Sequence, residues 1–188
     1  MDPRYARSQR ALRDAALTLA AAAPLQSISV TEVCRTAGVT RDTFYRHAPS
    51  PVELVAAALG EELAEAIGRH EPLSGIEAFR AAERSLLQHV ADRAEVYRNA
   101  MGPQLLAPLR ANLEGTIHST LRAHLDQHPP SVPAGVDGSD ADALDIVAAY
   151  ATAGTVGAVE RWIHATPLDV DRGVAVIIAA SPEFWFAR

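Results

Sequence analysis

A short segment near the start of the chain, from Ser29 to His47, constrains the fold more than any other part of the sequence. Ser29 and Glu32 have the S-x-x-E spacing of a capping box, in which each side chain accepts a hydrogen bond from the backbone amide of the other residue. Gly38 ends the helix that starts there, because glycine adopts the left-handed backbone conformation at little cost. Thr40 can then cap a second helix. The segment therefore predicts two short helices joined by a tight glycine turn.

The second of these helices carries polar and charged side chains on one face and an aromatic ring on the other. Its outward side chains are Arg41, Asp42, Thr43 and Arg46. Arginine and threonine hydrogen-bond to base edges and phosphates, and an aspartate can accept a hydrogen bond from cytosine. Phe44 faces the first helix, while Tyr45 and His47 lie at the helix end, where a hydroxyl and an imidazole can reach phosphates. The pattern predicts a helix-turn-helix that inserts its second helix into the major groove of DNA.

Composition favours an all-α fold with a basic start and an acidic remainder. Apolar residues make up 48% of the chain, but the aromatic residues that favour strands make up only 5%. All 17 basic residues are arginines, and the net charge is -6. Residues 1–50 contain seven arginines and four acidic residues, so they carry +3 and the remainder carries -9. The basic N-terminal part of such a protein can bind phosphate, while the acidic remainder repels DNA and so opposes non-specific contact. On the first helix, Arg4, Arg7 and Arg10 fit either an arm that contacts phosphate or a solvated stripe of charge.

Helical periodicity covers the rest of the chain. Leu12, Ala16, Leu19 and Ala23 mark one face of an N-terminal helix. The other predicted helices run from Pro51 to about His70, through Phe79 to about Ala91 after a break at Glu71–Gly75, from Ala94 to Met101, from Gln104 to about His128, from Asp140 to about Ala165, and from Pro167 or Leu168 to about Ala180. With the two helices of the segment they number about nine. Three prolines and two glycines predict a mobile linker at Pro129–Ser139. We assign the β-branched run Gly173–Ile178 to a helix, because no second strand candidate exists to pair with it.

The sequence lacks the motifs of enzymes, cofactor sites and membrane proteins. It contains no nucleophile elbow, phosphate-binding loop or dinucleotide fingerprint. The pairs Glu114/His118 and His124/His128 have the spacing of zinc ligands, but two-residue pairs of this kind arise easily by chance. Cys34 is the only cysteine and is interpreted as a small buried residue rather than a redox switch. No apolar run reaches the roughly 18 to 20 residues that span a bilayer. We therefore expect a cytoplasmic protein without catalytic activity, cofactor or metal.

The segment and the residues that follow it resemble the TetR family of bacterial transcription regulators. The matching residues are Ser29–Val33, Ala37–Thr40, Thr43–His47 and Ser50–Leu54. The detailed resemblance extends roughly over residues 8 to 60, and beyond them only the helix pattern matches. It implies an N-terminal three-helix DNA-binding domain at residues 1–50 and a larger helical domain for ligand binding and dimerisation at residues 51–188.

By this resemblance the protein is a transcriptional repressor that binds a near-palindromic operator as a homodimer, with recognition helices about 34 to 36 Å apart. The candidate DNA contacts are Thr31, Thr40, Arg41, Asp42, Thr43, Tyr45, Arg46 and His47. The last two helices would form the dimer interface, where small residues allow a close approach; packing within one subunit is the alternative. The residues of this surface are Ala148, Ala149, Ala151, Ala153, Gly154, Gly157, Ala158, Val174, Ile177 and Ile178.

The resemblance also implies an effector pocket in the larger domain. Its candidate lining residues, each of which could instead belong to the core, are Phe79, His89, Tyr97, Met101, Leu105, Leu109, Leu113, Ile117, Tyr150 and Trp162. This apolar set favours a small hydrophobic effector that releases the protein from DNA. The sequence departs from the family at Asp42, where glycine is usual, and at Pro51, where a phosphate-binding lysine is usual. A second hypothesis is therefore a TetR-like ligand- or partner-binding module with weakened DNA binding.

Overall fold

The computed structural model describes residues 3–68, 75–127 and 132–186. Within these ranges the chain forms nine α-helices and no β-strand, which confirms the predicted all-α fold. The helices are α1 (Pro3–Ala22), α2 (Val30–Ala37), α3 (Arg41–Tyr45), α4 (Pro51–Gly68), α5 (Gly75–Asp92), α6 (Ala94–Asn99), α7 (Ala107–Gln127), α8 (Ala141–Trp162) and α9 (Val170–Ala180). Two short 3-10 helices lie at Leu25–Ser27 and Glu183–Phe186. None of the described helices combines the length and hydropathy that crossing a bilayer requires.

The chain divides into two compact units. The first comprises Met1–Glu62 and Arg93–Asn112, and the second comprises Leu63–Asp92 and Leu113–Arg188. This division reflects packing density and does not test function, so the functional boundary after residue 50 stays a prediction.

The core of the first unit forms where α1 packs against α2 and α6. Leu12, Ala16 and Ala20 recur every four residues along α1 and are buried, so a single face of α1 meets the core. Val33 of α2 and Phe44 of α3 are also fully buried in this unit. Of the face predicted for the N-terminal helix, Leu12 and Ala16 are buried, Leu19 is half-buried, and Ala23 is half-buried just beyond the end of α1.

Polar contacts join further parts of the first unit. The guanidinium of Arg93 donates two hydrogen bonds to the Glu62 carboxylate, at 2.9 and 2.7 Å. The Asn99 side-chain amide donates to the Ala20 carbonyl at 2.9 Å and so connects α6 with α1. Burial raises the pKa of Tyr97 well above its usual range, and the negative charge of Glu62 adds to the shift. Tyr97 is therefore a neutral core residue of this unit at physiological pH.

In the second unit, α5 packs against α9 and the C-terminal 3-10 helix. Gly173 makes the close approach of α5 and α9 possible, because a Cβ there would lie 2.7 Å from Leu87 Cδ1 and 3.1 Å from Trp162 Nε1. The rings of Phe79 and Trp185 stack with their centroids 6.1 Å apart. The core of this unit is thus built around an α5 face that is predominantly apolar.

Several helix ends differ from the sequence prediction. Helix α7 begins at Ala107 rather than Gln104, because the Leu106 amide donates to the Ala100 carbonyl at 3.0 Å and holds residues 101–106 in a turn. Helix α8 ends at Trp162, before the predicted Ala165. Helix α9 begins at Val170 rather than at Pro167 or Leu168, because the Asp169 carboxylate caps it.

Other predictions for the chain are confirmed or fall outside the described ranges. The run Gly173–Ile178 is helical, as predicted, and Asp140 caps α8 through two backbone amides. Residues 132–139 form turns without a helix or strand, as expected of a linker. Residues 69–74, which include the predicted end of α4 at His70, lie outside the described residues, as do His128 and Pro129–Ser131.

Candidate nucleic-acid interface

The turn between α2 and α3 has the local chemistry that the sequence predicts. The Ser29 amide donates to the Glu32 carboxylate at 2.9 Å, and the Glu32 amide donates to Ser29 Oγ at 3.2 Å, which completes the capping box. The Ser29 hydroxyl also donates to the Glu32 carboxylate at 2.7 Å, and this bond, followed by the one from the Ser29 amide, stabilises the charged form and lowers the pKa of Glu32. Gly38 lies in the left-handed region with φ 67°. Thr40 then caps α3 by accepting a hydrogen bond from the Thr43 amide at 3.2 Å.

Helix α3 shows a buried anchor and an exposed polar face. Phe44 is fully buried, whereas Arg41, Asp42 and Arg46 are exposed and the Tyr45 side chain is 54% exposed. The candidate contacts Thr31 and Thr40 are also exposed, and Thr43 is half-buried. Arg41, Asp42, Thr43 and Tyr45 thus lie on α3, Thr40 and Arg46 cap its two ends, His47 follows it, and Thr31 lies on α2. Burial raises the pKa of Cys34 on the neighbouring helix, as expected of a core thiol.

The carboxylate of Asp42 pairs with the guanidinium of Arg46 one helical turn later. The distance between Asp42 Oδ2 and Arg46 Nη2 is 2.9 Å. Arg46 Nε also donates to the Asp42 carbonyl at 3.4 Å. Both residues are predicted from sequence to lie on the outer face, but their pairing is not, although opposite charges at i and i+4 on a helix are a readable signal.

His47 connects the end of α3 with α1. Its Nε2 lies 2.9 Å from Ser8 Oγ, and its ring lies against that of Tyr5 with centroids 4.2 Å apart. The hydroxyl hydrogen of Ser8 can be donated to the Tyr5 carbonyl at 2.9 Å, so the geometry favours a His47 tautomer that donates from Nε2. His47 Nδ1 is buried without a hydrogen-bond partner among the described residues.

The environment of His47 favours packing over phosphate binding. Burial, and secondarily the positive charge of Arg46, lowers the pKa of His47. The ring is therefore neutral at physiological pH, with one nitrogen hydrogen-bonded and the other enclosed. Sequence patterns could not reveal the Ser8 contact, because the two residues are 39 positions apart and meet only through tertiary packing.

The start of α4 lies directly after this helix. The Glu53 amide donates to Ser50 Oγ at 3.2 Å, so Ser50 caps α4. Pro51 occupies the first helical position and is buried. Its ring therefore fills the interior at the position where the resemblance would place a phosphate-binding lysine.

The second unit contains an open apolar cavity of about 790 Å³ along α8 and the end of α9. Its aromatic wall is formed by Phe79, Tyr150, Phe184 and Trp185, and small residues of α8 form much of the remainder. No charged side chain lines it within the described part of the chain. Of the predicted effector contacts, Phe79 and Tyr150 line this cavity.

The other eight candidate effector contacts do not line it, and they fall into two groups. Tyr97, Met101, Leu105 and Leu109 belong to the first unit, where all but the half-buried Met101 are buried. His89, Leu113, Ile117 and Trp162 belong to the second unit, where all but the half-buried Trp162 are buried. Trp185 and Phe184 were missed because only tertiary packing brings the C-terminus against α5.

The candidate dimer surface on α8 and α9 is largely accessible. Ala149, Ala153, Gly154 and Gly157 are exposed, and Ala151, Ala158, Ile177 and Ile178 are half-buried. Ala148 and Val174 are buried within the chain, which fits the alternative of packing within one subunit for these two. Large apolar side chains outside the predicted set extend the surface, since Ile146 is 71% exposed and Val176 60% exposed.

The candidate metal ligands Glu114, His118 and His124, which lie within the described residues, belong to no group of three or more possible ligands there. His118 Nε2 lies 3.2 Å from Asp145 Oδ1 rather than in a group of three or more ligands. No such group of histidine, cysteine and acidic side chains occurs among residues 3–68, 75–127 and 132–186. The pair His124/His128 includes a residue outside these ranges.

Comparison with known proteins gives a consistent assignment. Residues 12–58 match the family described as bacterial regulatory proteins, tetR family. No curated protein matches the chain. Among solved structures, a putative TetR-family regulator from Syntrophomonas wolfei superposes with a TM-score of 0.65 at 13% identity, over 92% of each chain.

Two further solved structures have similar folds. The fatty acid degradation regulator FadR from Bacillus halodurans has a TM-score of 0.64 at 14% identity, over 95% of this chain and 94% of its own. A TetR-family regulator from Streptomyces coelicolor has a TM-score of 0.61 at 16% identity, over 96% of this chain and 81% of its own. At these identities the structural similarity concerns the fold.

Proposed function

We propose that this chain is a TetR-family repressor that binds a palindromic operator as a homodimer, and the match of residues 12–58 to that family together with the similar folds supports this proposal. The observation that carries this proposal is the exposed face of α3, held in place by buried Phe44 and by caps at Ser29 and Thr40. Such a helix presents side chains to base edges while the rest of the N-terminal domain stays rigid.

The DNA contacts proposed for each subunit lie on and around α3. Arg41 and Thr43 contact base edges, whereas Tyr45 and Arg46 contact phosphates. Thr31 and Thr40 are further exposed contacts near the same turn. We propose that His47 contributes by holding α3 against α1, because its nitrogens are hydrogen-bonded or enclosed.

The effector is proposed to be a small and largely apolar molecule that releases the protein from DNA. The cavity beside Phe79 and Tyr150 supports this class, because its volume of about 790 Å³ lies in the range of small-molecule sites and none of the described residues that line it is charged. A ligand of this kind regulates only if its affinity differs between the DNA-competent and incompetent states. The structurally similar protein from Bacillus halodurans is a fatty acid degradation regulator, which makes acyl compounds reasonable first probes.

The proposed function is tested by selecting bound duplexes from a random library and titrating the selected operator at several salt concentrations. If the dimer makes roughly six to ten phosphate contacts, affinity falls about 10³- to 10⁵-fold between about 50 and 200 mM salt. The operator complex is then titrated with fatty acids of increasing length and with their methyl esters, and release is measured by fluorescence anisotropy. Recovery of no preferred sequence, or a salt-independent affinity, contradicts the repressor.

The second candidate is a ligand- or partner-binding module with weakened DNA binding. The pairing of Asp42 with Arg46 favours it, because the pair removes one net positive charge from the exposed face of α3. The library selection separates the two candidates, since the module retains the fold and enriches no sequence.

A further inference from the structure

Arg41, at the start of α3, and Arg46, directly after its end, differ in their surroundings. Arg46 is held by Asp42, whose carboxylate lies 2.9 Å from its Nη2 atom, and its Nη2 also lies 3.5 Å from Thr43 Oγ1. Arg41 lies on the same short helix and is exposed, with no hydrogen bond or ion pair to another described residue. One guanidinium therefore faces solvent alone, and the other already has an acidic partner.

The Asp42–Arg46 pair has a favourable geometry for an exposed contact. The acidic residue precedes the basic one by four positions, which is the better orientation on a helix. Arg46 follows the last residue of α3 with helical backbone angles, φ -77° and ψ -17°, so its side chain reaches back along the helix to Asp42. Both side chains remain accessible, at 67% for Arg46 and 86% for Asp42. DNA can therefore reach either group.

A carboxylate in this position affects specific and non-specific binding differently. Any duplex offers phosphates that compete with Asp42 for Arg46, but bringing Asp42 close to the duplex then places an unpaired negative charge beside a polyanion. Only a base with an amino group in the major groove, cytosine N4 or adenine N6, can donate a hydrogen bond to the released carboxylate. Every base pair carries one such amino group, and its place in the groove depends on which strand holds the cytosine or adenine. The pair consequently penalises duplexes in which that base lies on the wrong strand at the position that Asp42 reaches.

We propose that Asp42 is a specificity-determining residue, an internal counter-ion that withholds Arg46 from phosphate unless the operator presents a cytosine or adenine amino group to the carboxylate. This inference rests on the proposed DNA-binding function. Asp42 thereby lowers the affinity for arbitrary DNA more than the affinity for the operator. The aspartate at position 42, where the family usually has glycine, then affects discrimination between DNA sequences and not only the affinity for DNA.

The test compares wild type with Asp42→Asn, using the operator that the wild-type protein selects and a scrambled duplex of equal length. In Asp42→Asn, Arg46 becomes available to phosphate, so the slope of log affinity against log salt on the scrambled duplex steepens by about 0.9 per subunit. The ratio of operator to scrambled affinity falls at least about fivefold per half-site. Asp126→Asn is the control, because Asp126 forms an exposed i,i+4 ion pair with Arg122 on α7, in the reverse order and away from α3.

A second set of variants measures the coupling directly. Arg46→Gln in the wild-type background weakens scrambled-duplex binding less than Arg41→Gln does, whereas in the Asp42→Asn background the two changes weaken it equally. All of the residues changed on α3 are exposed, and unfolding midpoints verify that the folds are intact.

Each result decides between defined alternatives. If Asp42→Asn leaves the salt slope and the affinity ratio unchanged while the wild type still selects an operator, the counter-ion role is wrong and the proposed function stands. If the wild-type protein selects no operator, the proposed function fails and this inference fails with it.

Discussion

At the scale of single residues, Glu83 is an acidic side chain within the interior of the second unit. It is 6% exposed, and its Oε2 atom has no hydrogen-bond partner among the described residues. Burial raises the pKa of Glu83 from 4.5 to about 7, because the charged form loses hydration without gaining a partner. The protonated form therefore predominates in mildly acidic solution.

The raised pKa of Glu83 predicts a pH dependence of stability. Between the unfolded-state value near 4.5 and the folded-state value of about 7, the folded protein binds one proton more than the unfolded chain. The free energy of unfolding therefore falls by about 3 kcal/mol as pH rises through this window and is level above it, as far as this group is concerned. Urea unfolding at pH 5 and pH 8 measures the difference.

Variants isolate the contribution of Glu83. Glu83→Gln keeps the shape of the side chain and removes its ionisation, so this variant loses the fall in stability between pH 5 and 8. Glu77→Gln on the same helix is the matched control, because the Glu77 side chain is 66% exposed. A Glu83→Gln protein with the wild-type pH dependence would contradict the assignment.

The residues whose positions could be predicted from sequence are those that act through near neighbours. Ser29 and Thr40 cap helices through amides three positions away, so their roles depend on local spacing alone. The partners of His47 and the burial of Glu83 depend on which helices pack together. No local pattern encodes such contacts, and an acidic residue in an amphipathic helix is ordinarily assigned to the surface.

At the scale of secondary-structure elements, the turn between α2 and α3 depends on Gly38. Its φ of 67° is unfavourable for any residue with a Cβ, although no heavy atom lies within 4 Å of the position that a Cβ would occupy. Gly38→Ala therefore strains the backbone without a clash. We expect it to lower the free energy of unfolding by about 1 to 2 kcal/mol, measured by urea denaturation.

Gly115 supplies the matched control for Gly38. It lies within α7, has no positive φ, and its Cβ position is equally open. Gly115→Ala should stabilise the protein by about 0.5 to 1 kcal/mol, because alanine loses less conformational entropy in a helix. Equal effects of the two substitutions would show that the left-handed turn carries no strain.

The order and type of the helices could be predicted because their periodicity and caps are local. The ends were less predictable where hydrogen bonds of the preceding turn intervene. The repeated leucines suggested that α7 begins at Gln104, but the carbonyl of Ala100 binds the Leu106 amide and delays the helix to Ala107. The regular spacing of leucines therefore begins before the first residue of α7, Ala107.

At the scale of the whole molecule, the exposed apolar surface on α8 and α9 predicts self-association. Tyr150 is 81% exposed and Ile146 71% exposed, which is unusual for large apolar side chains on adjacent turns of one helix. Light scattering at micromolar concentration should give twice the chain mass of 20.0 kDa. Val176→Asp, at a 60% exposed position of α9, should shift the protein toward the monomer, because dimerisation would desolvate the new charge.

Ala123→Asp, at an exposed position of α7, is the control and should leave the mass unchanged. A monomeric wild-type protein contradicts the proposed dimer.

The architecture of the whole chain could be predicted only through family resemblance, since residues 12–58 carry the recognisable pattern. The chain as a whole has 13 to 16% identity to similar folds, so core packing is shared in shape and not in residue type.

The enclosed imidazole of His47 has a consequence for how the protein responds to its surroundings. With one nitrogen bonded to Ser8, the other shut away from water and its pKa lowered, this ring does not gain a proton at neutral pH. The charge of the DNA-reading surface is then supplied by arginines, which stay protonated throughout the physiological range. The surface is insensitive to ordinary swings in acidity, and in the proposed function ionic strength and effector concentration are then the variables that control occupancy of DNA.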